Sequence, residues 1–144
     1  MKDQNDPIAE DEWLLRLVWE DRFVKRDPPI SLNAFEPRDG QHPDTEGISL
    51  FREACVENPE DILAVIAADK RHRYGIVKIP VSMLAGQDLT VRSDNIDEVP
   101  GHVVMPELNL VAYSANPNDF LTKKQALARI SSENIVLRPR KLDG

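Results

Sequence analysis

Four polar residues sit in or beside apolar runs, and together they could do chemistry: Arg16 in LLRLVW, Ser49 in GISLFRE, and His102 and Glu107 in EVPGHVVMPELN. A guanidinium offers up to five N–H donors in a rigid fork that suits an anion. A serine hydroxyl can brace a ligand, and a histidine moves protons near neutral pH. A glutamate stabilises positive charge as it develops. Because the four are spread from position 16 to position 107, only a fold can bring them together.

Other reactive types have simpler explanations. The chain has no Gly-rich phosphate loop, no Gly-x-Ser-x-Gly elbow, no cysteine pair and no His-Glu-x-x-His. Its three histidines, His42, His72 and His102, are scattered, so no tight zinc site is expected. Cys55 lies three residues after Arg52, but a lone cysteine between two elements reads as a small buried hydrophobe. Lys70-Arg-His-Arg73 and Arg138-Pro-Arg-Lys141 are the basic clusters. The first falls on the last turn of an expected helix, where cations satisfy free carbonyls, although it could also grip a phosphate. Glu60-Asp61 and Asp97-Glu98 read as helix-start and turn residues, and Trp13 and Trp19 as core fillers rather than stacking platforms.

The elements that must position these residues follow from periodicity. Trp13 to Trp19 alternates like a strand and also fits a helix; its aromatic content favours the strand. Arg26 to Gly47 is rich in Pro, Gly, Asp and Asn and reads as a long loop, with Ile30 to Phe35 extended inside it. A loop of that length suggests a lid or a partner-binding segment. Ile48–Phe51 reads as a strand. A helix over 59–70 is predicted from Asn58 as N-cap, Pro59 at the first position and acidic Glu60 and Asp61, with a buried stripe of Ile62, Leu63, Val65 and Ile66. Tyr74–Val81 is a β-branched core strand leading into a helical turn. Further strands are expected over 88–92, 102–105 and 108–113. Another helix is expected over 123–130, with Thr122 and Gln125 at capping-box spacing, and then a short strand over 134–138.

The whole predicts an α+β fold: one domain over 11–138, with a mostly antiparallel sheet, two helices and the long Pro-rich loop. Residues 1–10 are polar and acidic and are expected to form a flexible leader; 139–144 are expected to form a flexible tail. A chain of 144 residues suits one core. The net charge of −7 argues against general nucleic-acid binding, leaving only the two basic runs as a local exception. No apolar run is long enough for a membrane span, the N-terminus lacks signal-peptide character, and one cysteine allows no intrachain disulfide, so a cytoplasmic protein is expected.

The order of the pieces LLRLVW, GISLFRE and YGIVKIPVSML, with Glu107 late in the chain, resembles arginine-serine-glutamate ADP-ribosyltransferases of the small toxin type. That resemblance implies that Arg16 holds the phosphates of a nicotinamide dinucleotide, Ser49 braces the site, and Glu107 stabilises the ribosyl cation, with His102 the other candidate member from the same stretch. Ser49 is not followed by the family's Thr-Ser, and Met105 stands where the family places an acidic residue or Gln. The early Arg, the Ser strand after a Phe-bearing loop and the Pro-x-His segment are also similar to those of uncharacterised small bacterial proteins.

Two functions follow. The first is a protein-binding or regulatory module with no cofactor, whose loop residues Ile30, Leu32 and Phe35 meet another protein. The alternative is a transferase or glycohydrolase acting on NAD through Arg16, Ser49, His102 and Glu107. Convergence of those four in one cleft separates the two.

Overall fold

The computed structural model describes residues 1–40 and 43–140, which leaves His42 and Lys141 outside the described residues. Six strands form one antiparallel sheet: β1 Trp13–Trp19, β2 Ile48–Arg52, β3 Tyr74–Pro80, β4 Arg92–Ser93, β5 His102–Met105 and β6 Ile135–Leu137. Their order is β4-β5-β2-β1-β3-β6. With helices α1 Leu110–Ala115 and α2 Leu121–Ser132 this is the expected α+β architecture. Among the described residues no helix is long and apolar enough to cross a membrane.

Alternation along the strands buries both faces of the sheet. Leu14, Val18, Leu50, Val77, Ile79, Val103 and Met105 pack with Phe120 and Leu127 at α2. Leu15, Phe51 and Ile76 pack on the other face against Ile62, Leu63 and Val99. β1 pairs with β3 along its whole length, from Trp13↔Pro80 to Trp19↔Tyr74. Its ladder with β2 contains only Leu14↔Arg52 and Leu15↔Phe51.

Several expectations are corrected. Ile30 and Phe35 belong to the core, and Leu32–Phe35 forms a 3₁₀ turn whose start is capped by Ser31 Oγ accepting from Asn33 N–H. Ile30 and Phe35 therefore anchor the loop with their side chains buried, and of the three only Leu32 is half-buried. Gly47, at φ +121°, then turns the chain into β2 where a Cβ would run into the Met105 carbonyl.

The helix expected over 59–70 is instead two 3₁₀ turns, Pro59–Val65 and Ala68–Arg73, split by extended Ile66 and Ala67. Between Ile66 and Tyr74 the only apolar residues are Ala67 and Ala68, and Ala67 to Lys70 are all exposed, so packing does not sustain a longer helix. At the first turn Asp61 Oδ2 accepts from Asn58 N–H at 3.0 Å.

Leu108–Tyr113 is not a strand. Leu108 plugs the core, and Asn109 Oδ1 accepts from Ala112 N–H at 2.9 Å to start α1. Helix α2 continues directly from a 3₁₀ turn over Pro117–Phe120, so exposed Thr122 lies inside it and caps nothing. Of the strand expected over 88–92 only Arg92 enters a ladder; Asp88 turns left-handed at φ 55°.

The leader is tied down. Arg52 donates to the carbonyls of Gln4, Asp6 and Pro7, and Lys2 N–H reaches the Ala54 carbonyl. At the other end Arg140 N–H donates to the His72 carbonyl at 2.8 Å.

Candidate functional site: a cleft at the open side of β1

The short β1–β2 ladder creates the site. From Arg16 onward β1 has no partner in β2, and the Arg16 side chain stands where ladder hydrogen bonds would otherwise be. Its Nη1 donates to the Ser49 carbonyl at 2.7 Å, while Nε and Nη2 donate to the Ala34 carbonyl at 3.2 and 3.0 Å. A cavity of about 830 Å³ opens beside it. Its walls include Trp19 and Tyr74 at the ends of β1 and β3, Phe51 of β2, and the loop from Asn33 to Gly40.

Arg16 is only 9% exposed, and among the described residues no carboxylate lies within ion-pair distance. Burial lowers it to about 10, partly offset by the field of Asp44, so it stays charged at neutral pH. The buried Asp44 carboxylate is taken by Arg38, through the main-chain N–H at 2.8 Å and Nη2 at 3.1 Å. Three of Arg16's five N–H groups are used, all on neutral carbonyls. Two remain, the number a carboxylate or phosphate edge accepts.

His102 lines the same cavity. Its Nδ1 lies 2.6 Å from the Asp94 carbonyl and 3.3 Å from Asp94 Oδ2. A carbonyl only accepts, so Nδ1 is the donor in this contact and Nε2 is the ring nitrogen turned to the cavity side of the histidine. Among the described residues Nε2 has no hydrogen-bond partner. The ring packs edge-on against Phe51, 5.1 Å between centroids. Ser49 lies on the neighbouring strand: β2 and β5 pair Ser49↔Val104 and Phe51↔His102, so Ser49 and His102 share a face diagonally, and no hydrogen bond joins their side chains.

The cleft thus gathers Arg16, Ser49 and His102, but not Glu107. The Glu107 carboxylate accepts from Thr90 N–H at 2.7 Å and Thr90 Oγ1 at 2.6 Å, pinning the 88–91 turn to the end of β5. No protein-family model matches the chain, and no curated protein or solved structure shows a significant match. What the site can do therefore rests on its geometry.

Sequence reasoning missed the wall formed by Asn33 to Gly40 and the Trp19–Tyr74 pair, whose rings meet edge-on at 5.0 Å. The alternation of Trp19 in β1 is visible in the sequence, but its distance from Tyr74 depends on strand register. Cys55 is buried; burial pushes its thiol up while Arg52 pulls it down, and the net shift is upward, away from a reactive thiolate. Among the described residues no group of three or more His, Cys, Asp or Glu is placed to hold a metal ion.

Proposed function

We propose that the protein is a binding module whose contact centre is this cleft, and that the partner protein presents a carboxylate to Arg16. One observation carries the reading: a buried guanidinium, hydrogen-bonded only to neutral carbonyls, faces a cavity with two N–H groups unused. A buried charge is costly unless paired, and a bound anion supplies the missing pair. Phe51, Val65 and Ile66 add an apolar wall for the body of the bound residue, as in carboxylate-capturing peptide sites.

The test compares short peptides ending in an aromatic residue, as free acids and as C-terminal amides, by calorimetry. The free acids are expected to bind at least tenfold more tightly, with the difference lost in Arg16→Met. Equal binding of acid and amide overturns the reading.

A second reading, chemistry on a nicotinamide dinucleotide, draws support from the meeting of Arg16, Ser49 and His102, but Glu107, the carboxylate it assigns, lies outside the cleft on Thr90. Nicotinamide release that disappears in Arg16→Ala and His102→Gln would favour it.

A further inference from the structure

The two basic runs, far apart in sequence, lie side by side. Leu137 pairs with Ile76, and beyond that ladder the chain runs back along β3 until Arg140 N–H reaches the His72 carbonyl. Residues 70–73 and 138–140 hold five Lys and Arg and no carboxylate, whereas the rest of the chain holds 13 Lys and Arg against 25 Asp and Glu. The cationic residues of these two runs are therefore concentrated locally in a chain of net charge −7. Helix-end chemistry accounts for part of the cluster: Arg71 Nε donates to the Ile66 carbonyl. Arg73 is bound by Glu20 at 2.7 Å and lies 4.1 Å over the Trp19 ring. Neither role covers Lys70, Arg138 or Arg140, which are exposed and form no salt bridge among the described residues.

We propose that this seam binds the phosphate backbone of a single-stranded nucleic acid, with Tyr74 beside it offering a ring to an unstacked base. Three cations without a salt bridge among the described residues suit a chain of phosphates, and half-buried Tyr74, next to Arg73, favours a base-bearing strand over a bare polyanion. Tyr74 also lines the Arg16 cleft, whereas Lys70, Arg138 and Arg140 do not, so Arg140→Glu and Arg16→Met separate the two proposals and either can fail alone.

The experiment is fluorescence anisotropy with a labelled 15-nucleotide oligouridylate and with inorganic polyphosphate as competitor. Binding is expected to weaken steeply as salt is raised from 50 to 200 mM, with a log–log slope of about −0.7 for each phosphate contacted. Arg140→Glu should weaken it about tenfold, while Arg129→Glu, the same charge change on α2, should alter it less than twofold. Tyr74→Ala should reduce oligonucleotide affinity several-fold without changing polyphosphate affinity. Absence of binding, or equal losses from Arg140→Glu and Arg129→Glu, overturns the seam. Polyphosphate competing as well as the oligonucleotide, together with a silent Tyr74→Ala, overturns the nucleic-acid assignment.

Discussion

Two arginines are buried at the two ends of the β1–β2 contact, and they are used in opposite ways. Arg52, fully buried, engages all five N–H groups: Nε and Nη2 grip the two oxygens of Glu12 at 2.8 Å each, and the remaining three reach the carbonyls of Gln4, Asp6 and Pro7. Arg16 engages three, none of them on a carboxylate. A closed donor set with its own counter-ion is a structural clamp, and it holds the leader on the domain. An open set without a counter-ion, beside a cavity, is a place for something else. Burial alone therefore does not distinguish a structural from a functional arginine; counting the engaged donors does.

The sharpest break of that contrast is Arg52→Met. It leaves Glu12 buried without its cation, and a loss of about 3–5 kcal/mol is expected in urea unfolding. Glu12→Leu combined with Arg52→Met should recover part of it, since the orphaned charge is gone while three leader carbonyls stay without donors. An unchanged midpoint for Arg52→Met would mean that the clamp contributes nothing.

The same clamp predicts acid sensitivity. Burial alone would raise Glu12, but the hydrogen bonds from Arg52, Ala9 N–H and Lys2 outweigh it and hold the carboxyl at about 2, against an ordinary 4.5. A depressed folded-state value stabilises the fold above the unfolded one, so this contribution is complete above pH 4.5 and is lost as the pH falls from there towards 2. Unfolding midpoints measured across that window should fall in wild type and fall much less in the Glu12→Leu, Arg52→Met double variant.

Arg16→Met should cost less, about 1–3 kcal/mol, because it strands two carbonyls and no charge. The smallest stability effect is expected from Arg16→Lys, within about 1 kcal/mol, since the charge remains. Its flexible ammonium cannot reproduce the planar fork, so the preference for free-acid peptides should nonetheless drop about tenfold. Full retention of that preference would show that a point charge suffices and that the two unused N–H groups do not act together.

How much of the molecule is legible in its sequence depends on whether a residue's role is local. The strands around Ile48, Tyr74 and His102 follow from alternation and β-branched composition, and the α+β class follows from them. Asn109 and Asp61 mark the limit of local reading. Both are local chemistry, yet Leu108 next to Asn109 has the apolar character of a strand residue, and Asn58 is the N-cap its composition predicts, with Asp61 accepting from its N–H, but it starts a short 3₁₀ turn and not a helix to 70. The loop over 26–47 is recognisable by its prolines but not in its role, because whether Ile30 and Phe35 point inward depends on the hydrophobic floor that the sheet provides. Glu107 draws notice for its neighbours in sequence, and it is Thr90, 17 residues away, that holds it.

By itself the sequence determined the periodicities, the turn-forming segments, the overall charge and the presence of an arginine in an apolar strand. Those are set by neighbours within a few residues, where propensity and pattern act. Tertiary structure alone decided that the β1–β2 ladder stops after two pairs, that Ala34 and Ser49 carbonyls come to Arg16 while Glu12 comes to Arg52, and that His72 meets Arg140. Each of these depends on strand register and on where a long loop lands. Register is fixed by the packing of both sheet faces at once, a sum over residues distant in the chain that no local window contains.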